Sequence, residues 1–141
     1  MAIEITNTQR RMRIDYSRIV ALAEKVLQAE GAAGDVSIVF VNRKKIIELN
    51  GRYFGKDSET DVIAFPLHDS LPGDRDFLGE VVVCTDVAMD EAARRGLQPD
   101  DELQLYVAHG LLHILGHDDD TPQRRARMNA RARAIIRSMQ Q

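Results

Sequence analysis

Cysteine is nearly absent from this chain: Cys84 stands alone. No internal disulfide can form, a usage that suits a reducing cytoplasm. Long apolar runs are missing too. No stretch approaches the roughly 18 residues that cross a bilayer, and the opening MAIEITNTQR has no basic start followed by an apolar segment, so neither a membrane span nor an export leader is expected. There is no internal repeat and no low-complexity linker. These absences lead to the expectation of a cytoplasmic protein without a membrane partner.

What is present fits one folded unit. At 141 residues the chain can build a single core and is short for two, so one domain over residues 1–141 is expected. Hydrophobic residues at 44% and charged residues at 29% lie near globular averages, which argues against disorder. The net charge is −3, yet residues 121–141 carry six arginines and no acid. An acidic body therefore ends in a basic tail.

Periodicity divides the chain into alternating elements. IEIT from Ile3 reads as a short first strand, and Ile19, Leu22, Ala23, Val26 and Leu27 form a helical stripe that stops before Gly31 and Gly34. VSIVFV from Val36 is β-branched and short, a buried strand. Asn42 then caps RKKIIELNGRYF, with Ile46, Ile47, Leu49 and Tyr53 as its inward side. DVIAFP gives a strand near Val62, and residues 68–76 read as an exposed loop, with His68 a surface histidine or a neighbour of the site below. FLGEVVVC from Phe77 is a fourth strand whose last residue, Cys84, is a small core side chain. Thr85 or Asp86 caps the next helix, which ends at Gly96. Asp100 is the expected cap of a helix running to Gly116, and Pro122 opens the last one. The helix up to Gly116 is apolar around almost its whole circumference, so it should lie in the middle of the fold. Strands interleaved with helices predict an α/β (α+β) layered domain with a mixed sheet.

The stretch HGLLHILGHDDD carries the chemistry. His109 and His113 are four residues apart, so a helix presents both imidazoles on one face. Gly116 can bend the chain back through a left-handed residue, bringing Asp119 within reach. The string H-x-x-x-H-x-x-G-x-x-D has the ligand spacing of metzincin zinc proteases, with Gly110 where they carry the catalytic glutamate. Three protein ligands of this kind suit one Zn(II) and leave a position open for water, the mark of a catalytic site. His117 competes with Asp119 as third ligand. The plainer alternative is that both histidines are polar breaks in a buried helix, satisfied by neighbouring groups.

Taken with its surroundings, the segment from Val36 to Asp120 resembles the YbeY family of bacterial ribosomal RNA maturation factors, described as metal-dependent endoribonucleases. The pattern H-G-x-L-H-x-x-G-x-D-H is met by His109, Gly110, Leu112, His113, Gly116 and Asp118. An upstream block is met by Leu49, Asn50, Tyr53, Asp57, Thr60, Asp61, Val62, Phe65 and Pro66, and a third by Leu78, Gly79, Val82 and Cys84. The chain departs from the pattern twice. Asp119 stands where the family has a third histidine, and Phe54 where it has an arginine, with Arg52 the nearest substitute. The resemblance implies about four strands in a mixed sheet and about five helices around a central ligand-bearing helix, with a metzincin-like zinc site.

It also implies a function: a zinc-dependent, single-strand-specific endoribonuclease acting in small-subunit rRNA 3′ end processing and ribosome quality control. Its partners would be ribosomal RNA, the small ribosomal subunit and ribosome-associated proteins. Phosphate contacts are expected from Arg52 and Lys56, with Arg43, Lys44, Lys45 and the tail arginines as further candidates unless they merely solvate an exposed helix. Tyr53, Phe54 and Phe65 are read as core residues in preference to base-stacking ones. No residue is assigned as general base. Asp118 and Glu80 are conceivable, and Asp118 is read as fixing the turn or supporting a ligand imidazole. Two other functions compete: a non-catalytic, metal-stabilised ribosome assembly factor, and a zinc peptidase, which Gly110 opposes.

Overall fold

Side chains alternate along the strand after Gly34, and both sets are covered. Val36, Ile38 and Phe40 enter a large core with Val81 and Val83, while Val41 enters a smaller one with Ile46, Val82 and Cys84. A sheet buried on both faces needs helices on each side. The computed structural model describes residues 2–67 and 76–140. It contains strands β1 (Ile3–Asn7), β2 (Asp35–Val41), β3 (Val62–Pro66) and β4 (Phe77–Cys84), with helices α1 (Tyr16–Ala29), α2 (Arg43–Phe54), α3 (Thr85–Arg95), α4 (Pro99–Ile114) and α5 (Pro122–Ser138).

The sheet order is β1-β2-β4-β3. β1 and β2 pair in parallel, as do β2 and β4, and β3 lies antiparallel along β4. This is the mixed sheet of an α+β domain. α4 is its centre: Leu103, Val107, Ala108, Leu111 and Leu112 are buried with α1, β2 and β4 side chains in the larger core. α2 covers the opposite face through Ile46. The expectation that residues 68–76 form a loop falls, except for Asp76, outside the described residues, and so does His68.

Caps show where local reading succeeds and fails. The side chains of Asp15, Asn42 and Thr121 accept the first-turn N–H groups of Arg18, Lys45 and Arg124. α3 does not follow its expectation. Cys84 is its N-cap residue, without a side-chain cap bond. The Thr85 hydroxyl lies within hydrogen-bond reach of Gln9 Oε1 and Val41 O, 3.0 and 3.3 Å away. Asp86 accepts the backbone N–H of Arg43 at 2.8 Å, so it caps α2 instead of its own helix. In α4 the N-cap is Gln98 with Pro99 at the first position, and Asp100 sits inside the first turn. There a carboxylate still favours the positive end of the helix dipole.

Candidate functional site

α4 approaches the sheet so closely that one position admits no side chain. A Cβ on Gly110 would lie 2.3 Å from Val81 Cγ1 and 3.0 Å from Val62 Cγ2. Both neighbours are β-branched and stiff. This fixes the height of α4 over β3 and β4, and with it His109 and His113. Both imidazoles line a cavity of about 330 Å³ beside the edge strand β3, together with Asp119, Thr60, Asp61, Asn50, Phe54 and Lys56.

The helix ends as its glycine requires. Gly116 adopts φ of 104°, a conformation L side chains rarely take. Its N–H bonds His113 O, and the N–H of His117 bonds Leu112 O, each at 3.1 Å. These two bonds define a Schellman turn. It folds the next residue beneath the helix, where the carbonyl of His117 accepts a hydrogen bond from His113 Nδ1 at 2.8 Å. A carbonyl can only accept, so Nδ1 carries the hydrogen, and in the neutral ring the lone pair belongs to Nε2. The imidazole of His117 turns elsewhere, donating from Nε2 to Glu30. Glu30 also accepts from Arg131 Nε at 3.0 Å, and Arg131 reaches Ala29 O at 2.9 Å. One carboxylate thus joins the end of α1, the turn after α4 and the middle of α5.

His109 is unusual electrostatically. Its Nε2 is the one buried side-chain nitrogen or oxygen without a hydrogen-bond partner among the described residues. Burial holds its pKa below the ordinary imidazole value, against the opposing pull of the Asp61 charge and the neighbouring Asn129 side chain. The neutral ring, with a free lone pair on one nitrogen, is therefore favoured at neutral pH. Nearby, burial and the Glu102 carboxylate push the Tyr106 hydroxyl upward, so Tyr106 stays protonated. Glu102 itself is 3% exposed and lies 3.3 Å from Arg95.

Of the residues expected at the site, His109, His113, Asp119 and Lys56 share the cavity. Asp119 is solvent-exposed, and among the described residues no three His, Cys, Asp or Glu side chains converge closely enough to hold a metal ion. Arg52 is not in the cavity wall and lies 3.3 Å from Glu48 on its own helix. Asp118 is exposed, with Arg124 3.8 Å away. The partner of the His113 imidazole is thus a backbone carbonyl and not Asp118. Glu80 alternates with Val81 and Val83, hence it lies on the α2 face, where it accepts from Ser37 at 3.1 Å.

The aromatic expectation is corrected. Tyr53 and Phe54 are 57% and 50% exposed, and Phe65 is half-buried. Ile46 and Asn50 occupy the buried stripe of α2; one turn later Tyr53 has the Phe65 ring to lean on, edge-on at 5.2 Å. Three contributors were given no role by sequence reasoning. Asp61 was visible as part of Thr60-Asp61-Val62 but had no spacing relation to the histidines. Asn129 and Glu30 reach the site from distant elements, with no local signal.

An α+β domain with a four-stranded mixed sheet, and a central helix presenting two imidazoles to one cavity, is the class of protein these observations define. A family model described as Endoribonuclease YbeY matches residues 4–140. The chain belongs to the YbeY family. A relative from Syntrophus aciditrophicus, named Endoribonuclease YbeY, is 34% identical across 96% of this chain and 88% of its own length. Another of that name, from Salinispora tropica, is 33% identical across 98% and 96% of the two chains. The solution structure of TM1509 from Thermotoga maritima matches with a TM-score of 0.64 and 25% identity, over 98% of this chain and 91% of the other.

Proposed function

We propose that this protein is a metal-dependent endoribonuclease that uses one divalent cation, Zn(II) by donor preference, on single-stranded ribosomal RNA. The observation that carries the reading is the unpaired, buried Nε2 of His109, in one cavity with His113 and Asp119. A desolvated nitrogen without a partner is costly unless something binds it. The donor set fits: two imidazoles, one with its tautomer fixed through Nδ1, and a carboxylate on the loop after the bend. Asp119 is exposed on the loop after the bend, and its carboxylate would have to turn toward the imidazoles to complete the set as the ion enters.

A divalent cation held there would polarise a phosphoryl oxygen and bring the pKa of water toward neutrality. The chain's own groups do the rest. Lys56 meets a phosphate oxygen from the cavity wall, and Asp61, the other carboxylate in that wall, accepts the proton from the attacking water and returns it to the leaving ribose oxygen as its bond to phosphorus breaks. Family membership and the relatives' names support RNA as the substrate class; small-subunit rRNA 3′ end processing and ribosome quality control are the setting proposed for it. Peptide cleavage is opposed by packing: a glutamate at position 110 would have its Cβ 2.3 Å from Val81.

A second reading, a ribosome assembly factor that cleaves nothing, is favoured by the lack of three converged ligands among the described residues. One assay separates the two. Nuclease-free protein is incubated with structured ribosomal RNA, with and without chelator, beside His113→Ala, Asp119→Ala and Asp61→Asn. Cleavage should require the cation and both ligands, and Asp61→Asn should slow it by roughly 10²–10⁴-fold. Cleavage that survives chelation and both ligand substitutions rejects metal catalysis. Binding without cleavage in every sample favours the assembly reading instead.

A further inference from the structure

The last turn of α2 leaves two rings uncovered beside the cavity. Tyr53 and Phe54 are both at least half exposed, yet neither is loose. Phe65 of β3 supports them, with Tyr53 edge-on at 5.2 Å and 70°, and Phe54 nearly parallel at 6.1 Å and 23°. Gly55 then turns the chain at φ of 67°, and the N–H of Lys56 returns to Asn50 O at 3.2 Å. The buried Asn50 donates onward to Ser58 O at 2.9 Å, so the turn is anchored. As a result Phe54 and Lys56 stand in the same cavity wall as His109, His113 and Asp119. A flat, solvent-facing ring and a cationic amine, adjacent and preorganised, match what single-stranded RNA offers: base faces alternating with phosphates.

We propose that Phe54, supported by Phe65 and flanked by Tyr53, is a stacking subsite for a nucleobase of single-stranded RNA next to the phosphate that enters the cavity. This rests on the ribonuclease reading above. A second protein is the poorer occupant. Stable interfaces take about 800 Å² from each partner, whereas the neighbours of these rings, Arg52, Gly55, Lys56 and Asp57, are exposed and mostly charged. A stacked base needs only the ring face. Because every base has such a face, the subsite should tolerate any sequence and prefer purines for their larger overlap.

The test uses short single-stranded RNAs carrying 2-aminopurine at successive positions, titrated with the full chain, with Phe54→Ala and with Phe54→Tyr. In one register the wild-type chain should quench the fluorescence, Phe54→Tyr should preserve the quench, and Phe54→Ala should abolish it. Phe54→Ala should weaken binding by about 5- to 150-fold, the range for loss of one stacked base. An abasic site in that register should erase the difference between wild type and Phe54→Ala. Equal affinity of the two proteins for intact RNA, or an equal loss on intact and abasic RNA, overturns the subsite while leaving the ribonuclease reading intact. A loss that tracks a change from dimer to monomer assigns the rings to self-association and overturns it as well. Failure of the wild-type chain to bind any RNA rejects both.

Discussion

His109 and Gly110 are adjacent, and each is determined by what surrounds it. The imidazole of His109 is half-buried, but its Nε2 is fully covered and unpaired, an arrangement that a bound cation would relieve. Gly110 exists because α4 lies too near Val81 to admit a methyl group. Alanine would gain about 1 kcal/mol in helix propensity, but overpacking against two stiff valines costs roughly 1–3 kcal/mol. The clash wins, so Gly110→Ala should lower the thermal midpoint by several degrees, and adding Val81→Ala should recover part of the loss. Additive losses in that double-mutant cycle would contradict the contact. The histidine pair was legible because i, i+4 spacing is a local property of a helix. The exposure of Tyr53 and Phe54 was not, because apolar residues at helical spacing look the same whether or not the sheet extends beneath them.

Among elements, two carboxylates tie together segments remote in sequence. Glu30 joins α1, the turn after α4 and α5, and thereby holds the carbonyl that orients His113. Glu30→Ala should weaken Zn(II) binding by about 10- to 100-fold, as for other groups that support a ligand, with Glu30→Gln falling between the two. Calorimetric titration measures this, and unchanged affinity in Glu30→Ala would remove the supporting role. Asp86 caps α2 from α3 and pairs with Arg11 at 2.9 Å. Burial alone would raise its carboxyl, but the Arg43 N–H and Arg11 outweigh that and hold it below the ordinary 3.8. A depressed pKa contributes stability that is complete above 3.8 and lost as pH falls through the folded value. Asp86→Asn should thus cost about 1–2 kcal/mol near neutrality, and the gap from wild type should close below about pH 4. Denaturation at several pH values checks it; a constant gap would contradict the assignment. Helix starts were readable where a cap serves its own helix, as Asn42 does, and misread where Asp86 serves a neighbour.

Across the whole molecule, element order was legible because the period of the apolar pattern changes from strand to helix at each boundary. Strand order was not, since pairing β2 with β4 depends on which segments pack over α4 and leaves no local mark. The same holds for the cavity, whose walls come from α2, the segment around Asp61, β3, α4, the Asp119 loop and α5. The fold brings the two imidazoles, Asp119, Asp61 and Lys56 to one place, and the account of its function depends on an ion being held there. Titration of metal-free protein with Zn(II) in a calorimeter tests this most directly. One ion should bind per chain, with binding greatly weakened in His113→Ala and measurably weakened in Asp119→Ala. A wild-type chain that takes up no ion, or binds equally well after both substitutions, would contradict it.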